Sequence, residues 1–323
     1  IDKYNPHTGK VMSTFVDSKA EDVSRAVAVA EQRLLDWSQT PAVHRGQILF
    51  DIAALMERKS DQLAACIAEE TGKPPQDAVG EVGAAIMQAK FFAGEGMRLY
   101  GRSLTSSTPG KFSHTVRQPR GVTGLIVPAN TPIANIAWKC FPALICGNTV
   151  VLKSSEDAPA IASLFAEITK EAGLPDGVLN VVHGTGPEAG SALVEDTRVA
   201  LISFTGSTQV GKAIGEVCGR RLGRVSLELG GKNALVVCDD ADIDKAVHWA
   251  SLSAFSNAGQ RCAAASRVLV FEQVYDTFLE KLIARAEGLN LGVGKDSDLG
   301  PVVSEKQRQS ILDDISNAIA EGG

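Results

Sequence analysis

Apolar and polar positions divide this chain into two regimes. In the first, up to about residue 100, apolar residues recur at helical spacing. Val23, Val27, Ala30 and Leu34 form one stripe, and Ser18-x-x-Glu21 ahead of it reads as a capping box that satisfies the free donors of a helix start. The spacing predicts a second helix over 43–56 and a third over 61–70, which stops at Gly72 and Pro74. The second regime begins at Val122. Short apolar runs (122–127, 149–152, 178–182, 199–204, 225–229, 234–237) alternate with helical patterns (133–145, 158–172, 187–194, 208–218). Strands that alternate with helices in this way predict an α/β fold on a doubly wound, mainly parallel sheet. Between the regimes, residues 101–120 are rich in Ser, Thr, Gly and basic side chains and have no period, so they read as an extended hairpin.

Composition narrows the function classes. The 323 residues are 44% hydrophobic and 22% charged, ordinary values for a globular protein of about two domains. A net charge of −6 with no basic cluster argues against a nucleic-acid partner. The longest apolar runs are too short to span a bilayer, and the start has no signal-peptide pattern. The six cysteines form no C-x-x-C pair and the five histidines are scattered singly, so neither a disulfide framework nor a metal centre is expected. A reducing, cytoplasmic compartment follows as the expectation.

In doubly wound sheets, ligands bind beyond the carboxyl ends of the strands. That rule gathers residues 128–132, 153–156, 184–190 and 206–211 around one crevice. Gly184-Thr-Gly-Pro-Glu-Ala-Gly190 and Gly206-Ser-Thr-Gln-Val-Gly211 are glycine-rich turns, although neither fits G-x-G-x-x-G. A helix start beside Gly206 and Ser207 offers free N–H groups to a phosphate; equally, such a turn needs glycine for geometry alone. Cys262, in Asn257-Ala-Gly-Gln-Arg-Cys262, is either a small buried hydrophobe or a nucleophile whose thiolate is aided by Arg261 and backbone amides. Glu228 ends an apolar strand, a setting that suits a general base but equally an ordinary strand-end carboxylate. Asn130 reads as an Asx turn or as an oxyanion donor. Lys153 and Glu156 read as a solvated strand end or as partners of a cofactor ribose.

Together and in this order, these segments resemble the aldehyde dehydrogenase superfamily. Pro128-Ala-Asn-Thr-Pro132 is similar to its P-W-N-x-P segment and Val151-Leu-Lys-Ser-Ser-Glu156 to its V-x-K-P-S-E segment. Phe204-Thr-Gly-Ser-Thr-Gln-Val-Gly211 resembles its F-T-G-S turn, Leu227-Glu-Leu-Gly-Gly-Lys-Asn233 its glutamate signature, and Gly259-Gln-Arg-Cys262 its cysteine signature. Asn5-Pro-His-Thr-Gly9, Glu70-Thr-Gly-Lys-Pro74 and Asp240-Ala-Asp-Ile-Asp244 agree as well, so the likeness covers essentially the whole chain.

The resemblance implies an NAD(P)-dependent enzyme that oxidises an aldehyde to an acid. Cys262 would be the nucleophile, Asn130 and the Cys262 N–H the oxyanion donors, and Glu228 the base that activates water; Lys139 would assist proton traffic. Lys153, Glu156, Gly186, Gly206, Ser207, Gly211 and Leu229 are assigned to the cofactor. Glu156 favours NAD over NADP by repelling a 2′-phosphate. The implied organisation is a Rossmann-like NAD-binding domain over 1–230, with an oligomerisation hairpin near 101–120, followed by an incomplete catalytic domain over 231–323. A homodimer or homotetramer, a small-molecule aldehyde as substrate and no metal complete the expectation. Ala129 stands in place of the family's tryptophan and Ser154 in place of its proline. The chain starts at Ile1 and stops at Gly323, and nothing in it corresponds to the family's C-terminal third, so the expectation is a fragment whose function belongs to a longer parent. Two alternatives are a relative that passes the acyl group to coenzyme A, which would generally lack Glu228, and a non-catalytic protein on the same fold.

Overall fold

The structure is a computed structural model and describes residues 1–322. A small antiparallel hairpin, β1 (Asp2–Tyr4) and β2 (Val11–Thr14), precedes four helices: α1 (Ala20–Gln39), α2 (Ala42–Arg58), α3 (Ser60–Thr71) and α4 (Pro75–Glu95). A two-residue antiparallel pairing of β3 (Ser103–Leu104) with β4 (Ser113–His114) follows. Then come β5 (Val122–Ile126), α5 (Pro132–Ile145), β6 (Thr149–Lys153), α6 (Pro159–Glu171), β7 (Leu179–Val182), α7 (Ser191–Glu195), β8 (Val199–Gly206), α8 (Thr208–Arg220) and β9 (Arg224–Leu229). These five strands form one parallel sheet in the order β7-β6-β5-β8-β9.

Every residue of the adjacent strands β5 and β6 is buried, as expected for parallel strands covered on both faces. One apolar cluster joins α2 to α6 with one face of the sheet; a second joins α1, α7 and α8 with the other. Gly124 in β5 marks a close approach, since a Cβ there would lie 2.7 Å from Ile202 Cδ1. The sheet stops at β9. The next strand, β10 (Asn233–Val237), pairs in parallel with β11 (Ala265–Val270) in a separate two-stranded sheet. With α9 (Ile243–Phe255) and α10 (Glu272–Glu287) it has its own small core around Val237, Val247, Ala250 and Phe278. A final helix, α11 (Glu305–Ala320), has no buried residue, and Ile315 and Ile319 on its apolar stripe are exposed.

Two expectations need correction. The cap of α1 is shifted by one position: Asp22, not Glu21, accepts the N–H at the cap, which belongs to Lys19 at 2.8 Å, and Ser18 is buried beside it. The second is α4, a 21-residue helix with no counterpart in the predicted elements. Its buried positions are mostly alanines (Ala78, Ala85, Ala89, Ala93), while large apolar side chains such as Met87 and Phe91 face outward, which weakens the periodic signal.

Candidate active site

The site is built where the loop after β5 meets the segment before Cys262. Asn130 follows β5 and precedes α5. Its side-chain oxygen accepts from Thr131 N (2.9 Å) and Asn135 Nδ2 (3.3 Å), and its Nδ2 donates to the Gln260 carbonyl (2.8 Å). Donors on one side and an acceptor on the other fix which way the amide points. One Nδ2 hydrogen is thereby used and the second remains. The Asn130 carbonyl in turn accepts from Asn257 Nδ2 at 2.9 Å.

Asn257, Ala258 and Gly259 have φ values of 54°, 54° and 71° in succession. Two consecutive non-glycine residues in the left-handed region carry a backbone cost that only surrounding contacts sustain, and such strain concentrates at functional sites. Here the Asn257 bond to Asn130, Gln260 Nε2 to Asn257 O (3.1 Å) and Val303 N to Gln260 Oε1 (3.0 Å) hold the turn. Cys262 emerges from it with an exposed side chain. Its carbonyl accepts from Asn233 Nδ2 at 2.5 Å, and among the described residues its N–H has no partner. The exposed thiol sets it apart from the buried Cys140 and Cys218.

Glu228 lies on β9 opposite Thr205 of β8, and Ser226 lies opposite Ser203. Alternation puts Ser203, Thr205, Ser226 and Glu228 on one face of the sheet. Lys139 reaches this face from α5 and donates to Ser203 Oγ at 2.8 Å. Its ammonium is buried, and desolvation pushes its pKa down to about 8 against the opposing pull of Glu228. Lys139 and Glu228 therefore share one electrostatic neighbourhood. Glu228 itself is exposed at the end of β9.

This burial has a stability consequence. Because the pKa of Lys139 falls below its ordinary 10.5, the unfolded chain holds more protons between about 8 and 10.5, and stability rises with pH across that window. Lys139→Met removes the penalty, which is roughly 3 kcal/mol below the lower bound. Urea unfolding is expected to show the variant more stable than the parent near pH 7, with the gap closing as the pH rises through the window. A constant gap would contradict the burial argument.

The cofactor residues divide. A largely apolar cleft of about 490 Å³ lies at the carboxyl ends of β5 and β8, lined by Ile126, Gly186, Pro187, Phe204, Val210 and Ile214 among others. Beside it α8 begins: Ser207 is its N-cap and accepts from Val210 N through its hydroxyl. At Gly211 the helix and β9 approach closely, since a Cβ there would come 2.5 Å from Leu229 Cδ2 and that side chain would have to shift. Lys153 is buried, with its stem behind Gly190 of the cleft wall, and donates to Ser154 O (2.6 Å) and Glu156 Oε2 (3.3 Å). Glu156 borders a different cavity, together with β1 and residues 301–308. The Lys153–Glu156 ion pair links the wall of the first cleft to this second cavity. Ala129 is buried in the helical core beneath the Asn130 loop. Among the described residues no group of three or more His, Cys, Asp or Glu side chains converges as a metal site, and no helix is long and apolar enough to cross a membrane.

Sequence reasoning missed Lys73 and Glu81, which reach the same loop. Both are buried; Lys73 Nζ bonds Glu81 Oε2 (2.6 Å) and the Asn130 carbonyl (2.8 Å). The available signal was an acid on the buried stripe of α4, between Ala78 and Ala85.

With this geometry, comparison with known proteins is decisive. The aldehyde dehydrogenase family model matches residues 1–323. The chain belongs to the aldehyde dehydrogenase family. Among members of that family, the phenylacetaldehyde dehydrogenase of Pseudomonas fluorescens is 40% identical over 332 residues, covering 100% of this chain and 66% of the relative. The betaine aldehyde dehydrogenase of Staphylococcus aureus, solved in complex with NAD+, superposes with a TM-score of 0.98 at 33% identity over 100% of this chain and 65% of that one. An NADP-dependent enzyme of E. coli superposes at 0.97 with 38% identity, over 100% and 67%. The chain spans 60–66% of the length of the curated family members it matches.

Proposed function

We propose that the protein carrying this chain oxidises an aldehyde to a carboxylic acid with NAD through a thioester on Cys262. The observation that carries this reading is the docking of the Asn130 amide onto the turn that presents the exposed Cys262 thiol. The thiolate adds to the aldehyde carbon, and the resulting oxyanion sits between the second Nδ2 hydrogen of Asn130 and the Cys262 N–H. Donors aimed at developing charge contribute about 2.7–4 kcal/mol each. Glu228 then takes a proton from water as it attacks the thioester, releasing the acid and restoring the thiol. Lys139, with a pKa of about 8, passes protons to and from this neighbourhood.

When bound, the cofactor would supply the acceptor for the hydride that leaves the Cys262 adduct as it becomes the thioester. The cleft fits it: its apolar walls suit a flat adenine, and the start of α8 beside Gly206 and Ser207 suits a pyrophosphate. Lys153 and Glu156 would hold the ribose, with Glu156 disfavouring a 2′-phosphate. We further propose that the sheet break after Leu229 separates the cofactor domain from the start of the catalytic domain, and that the 101–120 hairpin, with Phe112 90% exposed, joins copies of the protein.

The test is to supply NAD and a panel of aldehydes, follow NADH, and identify the product by mass. Acid formation with acyl adducts confined to Cys262 is expected. Formation of acyl-coenzyme A when that thiol is added would shift the reading to acyl transfer, and the absence of NADH with every aldehyde would defeat it.

A further inference from the structure

The Asn130 carbonyl receives two buried donors, Lys73 Nζ at 2.8 Å and Asn257 Nδ2 at 2.9 Å. Lys73 is itself braced by Glu81, with side-chain exposures of 3% and 4%. The other Glu81 oxygen accepts from Ile133 N (3.0 Å) and Ala134 N (3.3 Å), the first free amides of α5 after Pro132. Burial pushes the Glu81 carboxyl up, against the counter-pull of Lys73 and these two amides. One carboxylate thus ties α4 to the start of α5, and one ammonium ties both to the loop between β5 and α5. An ion pair this dry is a poor source of net stability, because desolvation offsets its attraction. What it supplies here is fixed geometry.

We infer that Lys73, braced by Glu81 and seconded by Asn257, is a positioning residue that aims the Asn130 side-chain amide at the oxygen of the aldehyde that Cys262 attacks. The inference rests on the oxyanion role proposed for Asn130. With the main-chain carbonyl held at two points, the peptide plane of Asn130 cannot rotate, and the amide keeps its bond to Gln260. Released, the loop gains freedom at the one residue whose placement matters to within a fraction of an ångström. A misplacement of about 1 Å costs up to roughly 100-fold in rate.

The test compares first-turnover NADH formation, steady-state KM for NAD and aldehyde, and Tm in the protein carrying this chain. The variant Lys73→Met/Glu81→Gln leaves no unpaired buried charge and keeps an acceptor for the α5 amides. It is expected to retain Tm and both KM values while the first turnover slows about 10–100-fold. Lys73→Arg, which keeps the charge, is expected to recover part of that loss. Added to Asn130→Ala, the double change is expected to cost nothing further, since both act through one amide. Asn257→Ser withdraws the other donor without touching a charge and is expected to slow the same step even if the double variant does not fold. A normal first turnover in folded Lys73→Met/Glu81→Gln or Asn257→Ser, or losses that multiply with Asn130→Ala, would overturn the inference while the role of Asn130 stands. An Asn130→Ala protein with a normal first turnover would remove that role, and the brace with it.

Discussion

Cys262→Ala is expected to abolish aldehyde oxidation, with a loss on the order of 10⁴-fold or more, while leaving NAD affinity and Tm within error of the parent. Removing a covalent nucleophile eliminates the path that divides one hard step into two, and no neighbouring group replaces it. The other free cysteines offer no rescue: Cys140 is buried, with its thiol pushed above the usual range by desolvation, and Cys146 and Cys238 lie outside the Asn130 turn. The side chain of Cys262 is exposed and, among the described residues, makes no hydrogen bond; the turn is held through the Cys262 carbonyl by Asn233 and through Gln260 by Asn130. The fold should therefore not register the substitution. Measured kcat, calorimetric NAD titration and thermal melting check the three parts. Turnover within tenfold of the parent would eliminate Cys262 as the nucleophile.

Glu228→Gln separates the two halves of the reaction. In the proposed mechanism the thiol attack and the hydride step do not require this carboxylate, so one equivalent of NADH per active site should form at close to the parental rate. Hydrolysis then stalls. General-base assistance contributes about 10²- to 10⁴-fold, and the steady state should fall by that factor. Quenched-flow NADH measurements and intact-mass detection of acyl-Cys262 report the burst and the trapped thioester. A variant that loses the burst as well would assign Glu228 to the first half-reaction. Because Glu228 pulls the Lys139 pKa upward, its neutralisation should also shift the alkaline limb of the pH profile to lower pH.

The strands and helices from Val122 to Val237 were legible in the sequence because a parallel sheet needs uninterrupted apolar runs, and these are bounded by Gly and Pro. Helix α4 was not legible: small buried alanines and outward Met87 and Phe91 hide its inner face. The separation of β10 from the main sheet was hidden in the apolar pattern, where β9 and β10 read as two similar runs; only the family resemblance implied a boundary after residue 230, and the pairing of β10 with β11 distinguishes the strands. At the site, Cys262, Glu228 and Asn130 were legible as motifs. Taken singly, each had a bland explanation, and it was their order that pointed to one family. The Lys73–Glu81 brace and the left-handed turn at 257–259 depend on contacts between distant segments, which no local pattern encodes.

The bonds from Asn130 to Asn257 and to Gln260 close loops of 127 and 130 residues. Loops of that span form only after the intervening β/α units have assembled, because their ends meet at an entropic cost that nearby contacts must already offset. The turn that presents Cys262 is therefore expected to dock on the Asn130 loop only late in folding. If Cys262 is the nucleophile proposed, reactivity toward aldehydes would report completed folding.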